Sequence, residues 1–156
     1  MTKKLNATTA GHDIDPQPYR PQSDPKIAAG PGPRLAGASD VYAALLDLRH
    51  QDREHFVAFD LNARHRVIAR RIVHIGTLTG VEVHPREIFK PAIVNSACAL
   101  IVAHSHPSGD PSPSVADITL TQRLREVGEL LGIPILDHVV FASEGYVSLA
   151  ERNWRG

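Results

Sequence analysis

Residues 98–103 (Cys98, Ala99, Leu100, Ile101, Val102, Ala103) contain no polar side chain apart from one thiol. A continuous apolar run of strand length predicts a central strand covered on both faces. On its amino-terminal side, residues 40–48 have helical spacing with Ser39 or Asp40 placed to cap the start. Residues 55–61 read as a strand and residues 62–64 as a turn. A second strand over 67–75 makes the pair a hairpin. A short strand is expected near Val81. Pro85 then opens a helix over residues 86–97, since the first turn has no amide bond to lose; Pro91 sits awkwardly inside it. On the carboxyl-terminal side, Ile118, Leu120, Leu124, Val127, Leu130 and Leu131 suit a long helix that starts near Ser114 and ends at Gly132. Strands follow over 133–141 and 146–149, joined by a turn at 143–145. The predicted order is α-β-β-β-α-β-α-β-β, an α/β fold with a mixed sheet.

Residues 1–38 hold six of the twelve prolines and almost no periodic apolar pattern, so they read as a disordered tail before one folded domain over 39–156. A length of 156 residues with 42% hydrophobic and 22% charged residues suits one soluble domain. Seventeen basic residues balance seventeen acidic ones, so the overall field does not recommend the surface to nucleic acid. The single cysteine, Cys98, cannot form an internal disulfide. No apolar run is long enough for a membrane span or secretory signal, and the cytoplasm is the expected location.

Nine histidines are the unusual count. Side chains alternate along a strand, so His104 and His106, at the end of the apolar run, can face one ion while Ser105 points elsewhere. Asp117, on the first turn of the next helix, is the expected third ligand, because the proline- and glycine-rich loop 107–113 can fold that turn back against the strand end. Two histidines and an aspartate leave a coordination position for water, as catalytic zinc sites do. Glu54, at the start of the first strand, is the candidate general base; Glu82 and Glu87 are the competing carboxylates. Ser114 can offer its hydroxyl to a developing oxyanion.

His104, Ser105, His106 and Pro107, the loop 107–113, then Ser114, Val115, Ala116 and Asp117 match the pattern H-x-H-x7-S-x2-D without a gap. With Val83, His84, Pro85, Arg86 and Glu87 upstream and Gly145, Tyr146, Val147, Ser148 and Leu149 downstream, residues 40–152 resemble the RadC-like branch of the JAMM/MPN metallopeptidases. The resemblance implies an MPN (cytidine-deaminase-like) three-layer α/β sandwich with a mixed central sheet between helices. It also implies zinc on His104, His106 and Asp117, Glu54 as acid/base and Ser114 as oxyanion donor. Active relatives cleave peptide or isopeptide bonds, so a peptide or isopeptide-linked protein is the implied substrate. RadC-like proteins often carry a DNA-binding helix-hairpin-helix module ahead of this domain; here the Pro-rich tail stands there, which weakens the alternative of a DNA-repair accessory. The middle residue of the H-x-H pair, often asparagine in this branch, is Ser105, and no role is assigned to it.

Simpler readings compete. Ser114 with Asp117 three residues on is also close to a capping box, which stabilises a helix start by about 1 kcal/mol without any metal. The two converging histidines favour the metal, since an apolar strand ending in His-x-His has little structural motive otherwise. His138, after Asp137 in the strand over 133–141, could support a ligand from behind, but a histidine flanked by apolar residues reads as a satisfied core residue and is left outside the site. Cys98 reads as a small buried hydrophobe. A non-catalytic scaffold is the third reading, disfavoured because every ligand is present.

Overall fold

The computed structural model describes residues 32–76 and 83–154. The strand expected near Val81, Glu82 and residues 1–31 of the expected tail lie outside the described residues. Eight elements follow one another: α1 (Ala38–Ala43), β1 (His55–Leu61), β2 (Val67–Ile75), α2 (Pro85–Val94), β3 (Ala99–Ser105), α3 (Val115–Leu131), β4 (Ile135–Ala142) and β5 (Gly145–Ser148). The strands form one mixed sheet in the order β2-β1-β3-β4-β5. β3 is antiparallel to β1 and parallel to β4, with α3 as the crossover.

The apolar run became the central strand because both of its faces are covered. Ile101 and Ala103 pack with Val41, Leu45, Phe59 and Phe141 on the α1 side. Leu100 and Val102 pack with Ile88, Phe89, Leu124 and Ile135 on the α2 and α3 side. Continuing the alternation puts His104 on the α3 side and Ser105 on the other. Cys98 departs from expectation: it is exposed, one residue ahead of β3.

In β4 the alternation is interrupted. Leu100 pairs with Ile135 but Ile101 pairs with Asp137, a register irregularity that adds one residue to β4. Ile135 packs on the α2 and α3 side and Val139 on the α1 side. His138, three residues after Ile135, therefore shares its face, which an unbroken strand would forbid.

Residues 32–38, assigned to the tail from the sequence, are built into the domain. Leu35 is buried, the Gly32 amide donates to the Val67 carbonyl (2.9 Å), and the Val67 amide donates to that of Pro33 (3.0 Å). This segment lies along the start of the edge strand β2, protecting an edge that would otherwise be open. α1 is shorter than the helix expected over 40–48. After Ala43 the chain continues in tight turns that still bury Leu45 and Leu48.

α2 stops at Val94 rather than reaching residue 97, yet it accommodates Pro91. Pro91 has no amide to give the Glu87 carbonyl, and that carbonyl faces the Arg71 guanidinium at 3.5 Å. Arg71 also donates to the Ile88 carbonyl (3.0 Å) and to Asp60 (2.6 Å), which accepts from Asn95 as well (2.6 Å). Both charges are buried, so this network ties α2 to the hairpin.

α3 has the boundaries expected for it. Ser114 and Asp117 form a reciprocal capping box. At the other end, Gly132 in the left-handed region (φ 70°) closes a Schellman motif, with Ile133 donating to Gly128 (2.9 Å) and Gly132 to Glu129 (3.2 Å). Gly128 lies so close beneath the returning chain that a Cβ there would sit 2.6 Å from the Ile133 carbonyl oxygen.

Candidate metal centre

Three side chains from the end of β3 and the first turn of α3 converge. His104 Nε2 lies 2.9 Å from His106 Nε2 and 3.1 Å from Asp117 Oδ1, and His106 Nε2 lies 3.5 Å from Asp117 Oδ2. Ligand atoms from all three fall within 4.8 Å of one another, so the group can hold a metal ion. His104 and Asp117 are buried, while the His106 side chain keeps 15% of its exposure and opens the site to solvent.

Each of the three side chains is held by its surroundings. His106 Nδ1 faces the Asp110 carbonyl at 2.9 Å; a carbonyl only accepts, so the neutral ring carries its proton on Nδ1 and turns the Nε2 lone pair toward His104 and Asp117. The Ser114 amide donates to Asp117 Oδ2 (2.7 Å), and the Asp117 amide donates to Ser114 Oγ (3.2 Å). Capping and the site therefore use the same two residues, and the two readings of Ser114 and Asp117 do not exclude each other. Phe56 stacks on His104 (ring centroids 6.1 Å apart) and meets His138 edge-on (5.6 Å), forming an apolar wall.

The electrostatics report a carboxylate crowded by imidazoles. Burial works to raise the Asp117 pKa, but the hydrogen bonds that His104 and His106 donate when their rings are protonated, and the charge of His104 in that state, outweigh it and hold the carboxyl well below its usual range. His106 is raised above its ordinary 6.5, chiefly by its hydrogen bond to Asp117; burial opposes this, and the Asp110 carbonyl and the charges of Asp117 and Glu54 add to it. Lone pairs on two rings and a carboxylate thus face one point, an arrangement that a proton or a metal cation relieves.

Glu54 is near enough for its charge to act on His106. Its backbone is fixed from both sides. The Gly76 amide donates to the Glu54 carbonyl (2.9 Å), and on the β3 side the His55 amide donates to Ser105 Oγ (2.8 Å). Ser105 Oγ also approaches the Arg53 carbonyl (3.5 Å). Ser105, given no role from the sequence, thus anchors the segment that carries Glu54. Ser114 is exposed, and its Oγ accepts from Asp117. Glu87, the other competing carboxylate among the described residues, is exposed on α2 and pairs with Arg86 (3.2 Å).

Sequence reasoning set His138 aside and passed over Thr121. His138 Nε2 lies 2.8 Å from His104 Nδ1, and His138 Nδ1 meets Thr121 Oγ1. His138 is fully buried, and that burial pushes its pKa well below 6.5, aided by the charge of His104. His138 is thus the satisfied core histidine that the sequence suggested, and it also meets His104, one of the three converging side chains.

The sequence matches the RadC-like JAB domain family over residues 35–154. The chain belongs to that family. Relatives of this JAB domain include UPF0758 proteins from Syntrophotalea carbinolica and Desulforamulus reducens. The first is 47% identical over 123 residues, 78% of this chain and 54% of the relative. The second is 52% identical over 106 residues, 68% of this chain and 47% of the relative. A third, from Desulforudis audaxviator, is 54% identical over 103 residues, 66% of this chain and 45% of the relative. The chain spans about half the length of these relatives. No helix among the described residues is long and apolar enough to cross a membrane.

Proposed function

We propose that the chain is a zinc-dependent hydrolase of peptide or isopeptide bonds, with His104, His106 and Asp117 as ligands, Glu54 as general acid/base and Ser114 as oxyanion donor. The observation that carries this reading is the convergence of two imidazole Nε2 atoms and one carboxylate beside Glu54. Two nitrogens and one oxygen suit zinc, which in such sites acts as a Lewis acid and brings the pKa of a coordinated water to about 7. Glu54 takes a proton from the attacking water and returns it to the leaving amine, so one carboxylate serves both halves of the hydrolysis. Ser114 supports the carbonyl oxygen as negative charge builds on it: its Oγ accepts from the Asp117 amide and keeps its own proton to donate.

The test pairs metal analysis with turnover on a panel of peptide and isopeptide-linked substrates. The wild-type chain should carry zinc and hydrolyse a member of the panel. The double substitution His104→Ala, His106→Ala should abolish zinc uptake, whereas Glu54→Gln should retain zinc and lose turnover. Turnover persisting in Glu54→Gln overturns the assignment.

A second reading, a DNA-processing role, has one local observation in its favour. Arg34, Arg64, His65 and Arg66 line a depression of about 410 Å³ at the β1–β2 turn, the far end of β1 from Glu54. Binding to single-stranded or branched DNA that weakens steeply with salt would favour it.

A further inference from the structure

We propose that His138 is a positioning residue that fixes the tautomer of His104, so that the His104 Nε2 lone pair faces the metal position. The inference rests on the reading of His104, His106 and Asp117 as ligands and concerns a residue outside that set.

The argument is a count of protons along a buried chain of hydrogen bonds. It begins at the Asp117 backbone carbonyl, which can only accept. Thr121 Oγ1 lies 2.5 Å from it. Two oxygens at that separation need a proton between them, so Thr121 donates to Asp117. Its single proton is thereby spent, and toward His138 Nδ1 the hydroxyl can only accept. The proton between them therefore belongs to His138 Nδ1.

The His138 ring is fully buried, touches no carboxylate among the described residues, and packs against Phe56. A second proton would put an unpaired charge in the interior, so the ring is neutral and Nε2 keeps its lone pair. Across the next contact, 2.8 Å, the proton must come from His104 Nδ1. In the neutral His104 ring, the form that binds a metal, one position remains: Nε2 is bare and faces His106 Nε2 and Asp117 Oδ1.

The chain of directed bonds thus starts at the main chain of Asp117 and ends on His104, joining α3, β4 and β3 and leaving the His104 lone pair aimed at the Asp117 carboxylate. Reversing the His138–His104 link would place the proton of the neutral His104 ring on Nε2, where a metal would bind. His106 is set independently by the Asp110 carbonyl.

The experiment uses the full chain with 15N-labelled histidine, zinc-loaded, and reads ring tautomers from long-range proton–nitrogen correlations. His138 should carry its only proton on Nδ1 and His104 its proton on Nδ1. A proton on His138 Nε2 overturns the proposal. Competition with a chelator supplies a second readout. His138→Leu should weaken zinc binding by about 10–100-fold, and His138→Gln, whose Oε1 can accept from His104 Nδ1, should recover most of that loss. Zinc affinity unchanged in His138→Leu overturns the proposal, and the wild-type spectrum decides the case if that variant does not fold. Wild-type protein that takes up no zinc sinks the hydrolase reading instead. The tautomers are then read in the metal-free chain, where a proton on His138 Nε2 sinks this inference separately.

Discussion

His106 is the partly exposed member of the three converging side chains, and its proton would compete with a metal ion. Its pKa is raised above 6.5, first by the hydrogen bond to Asp117, so binding must displace a proton that is held more tightly than on a free histidine. Zinc affinity, measured by chelator competition, should therefore fall as pH is lowered through neutrality. In the metal-free protein the sign reverses: the protonated His106 contributes stability below 6.5, and this is lost as pH rises through its raised folded value. Ser105 gives a second prediction at this scale. Ser105→Ala leaves the buried His55 amide without its acceptor, which should cost about 1–3 kcal/mol in denaturant unfolding. Turnover should fall in kcat more than in KM, with Ser105→Thr restoring both. The convergence of His104, His106 and Asp117 was legible because H-x-H and S-x2-D are local patterns with a fixed spacing. His138 was not, since its partner His104 lies 34 residues away and flanking apolar residues describe a core histidine equally well.

Among the elements, α3 was read best because its ends carry their own signals, a capping serine and a left-handed glycine. Ser114→Ala should lower thermal stability by about 1 kcal/mol through the lost cap. It should also loosen Asp117, so zinc affinity should drop with it even though Ser114 is not a ligand. β4 shows why strand faces were harder to read. The extra residue between Ile135 and Asp137 shifts the alternation, and no glycine or proline lies at that point to announce it. α1 was overextended because Leu45 and Leu48 keep helical spacing while the backbone changes to tight turns. The segment 32–37 was missed for the opposite reason. It packs through one apolar side chain, Leu35, and through backbone bonds to the hairpin, which leave little trace in a hydrophobic pattern.

For the whole molecule, the sheet is tied to its helices by the Asp60–Arg71 pair at one end and by the contact of His104 with Asp117 at the other. Removing one partner of a buried pair strands the other charge. Asp60→Ala should cost about 3–5 kcal/mol, measured by denaturant unfolding, and leave zinc stoichiometry unchanged in the fraction that folds. Gly128 connects the helix end to the chemistry in another way. α3 behaves as a stiff rod about 16 Å long between Gly128 and Asp117, at 1.5 Å per residue. A methyl group at 128 meets the Ile133 carbonyl, main chain that has little room to yield, so the rod must tip. Tilting one end of a lever displaces the other, and a carboxylate expected to hold an ion within about half an ångström tolerates little of that. The smallest side chain in the helix, far from any ligand, thereby calibrates the aim of Asp117.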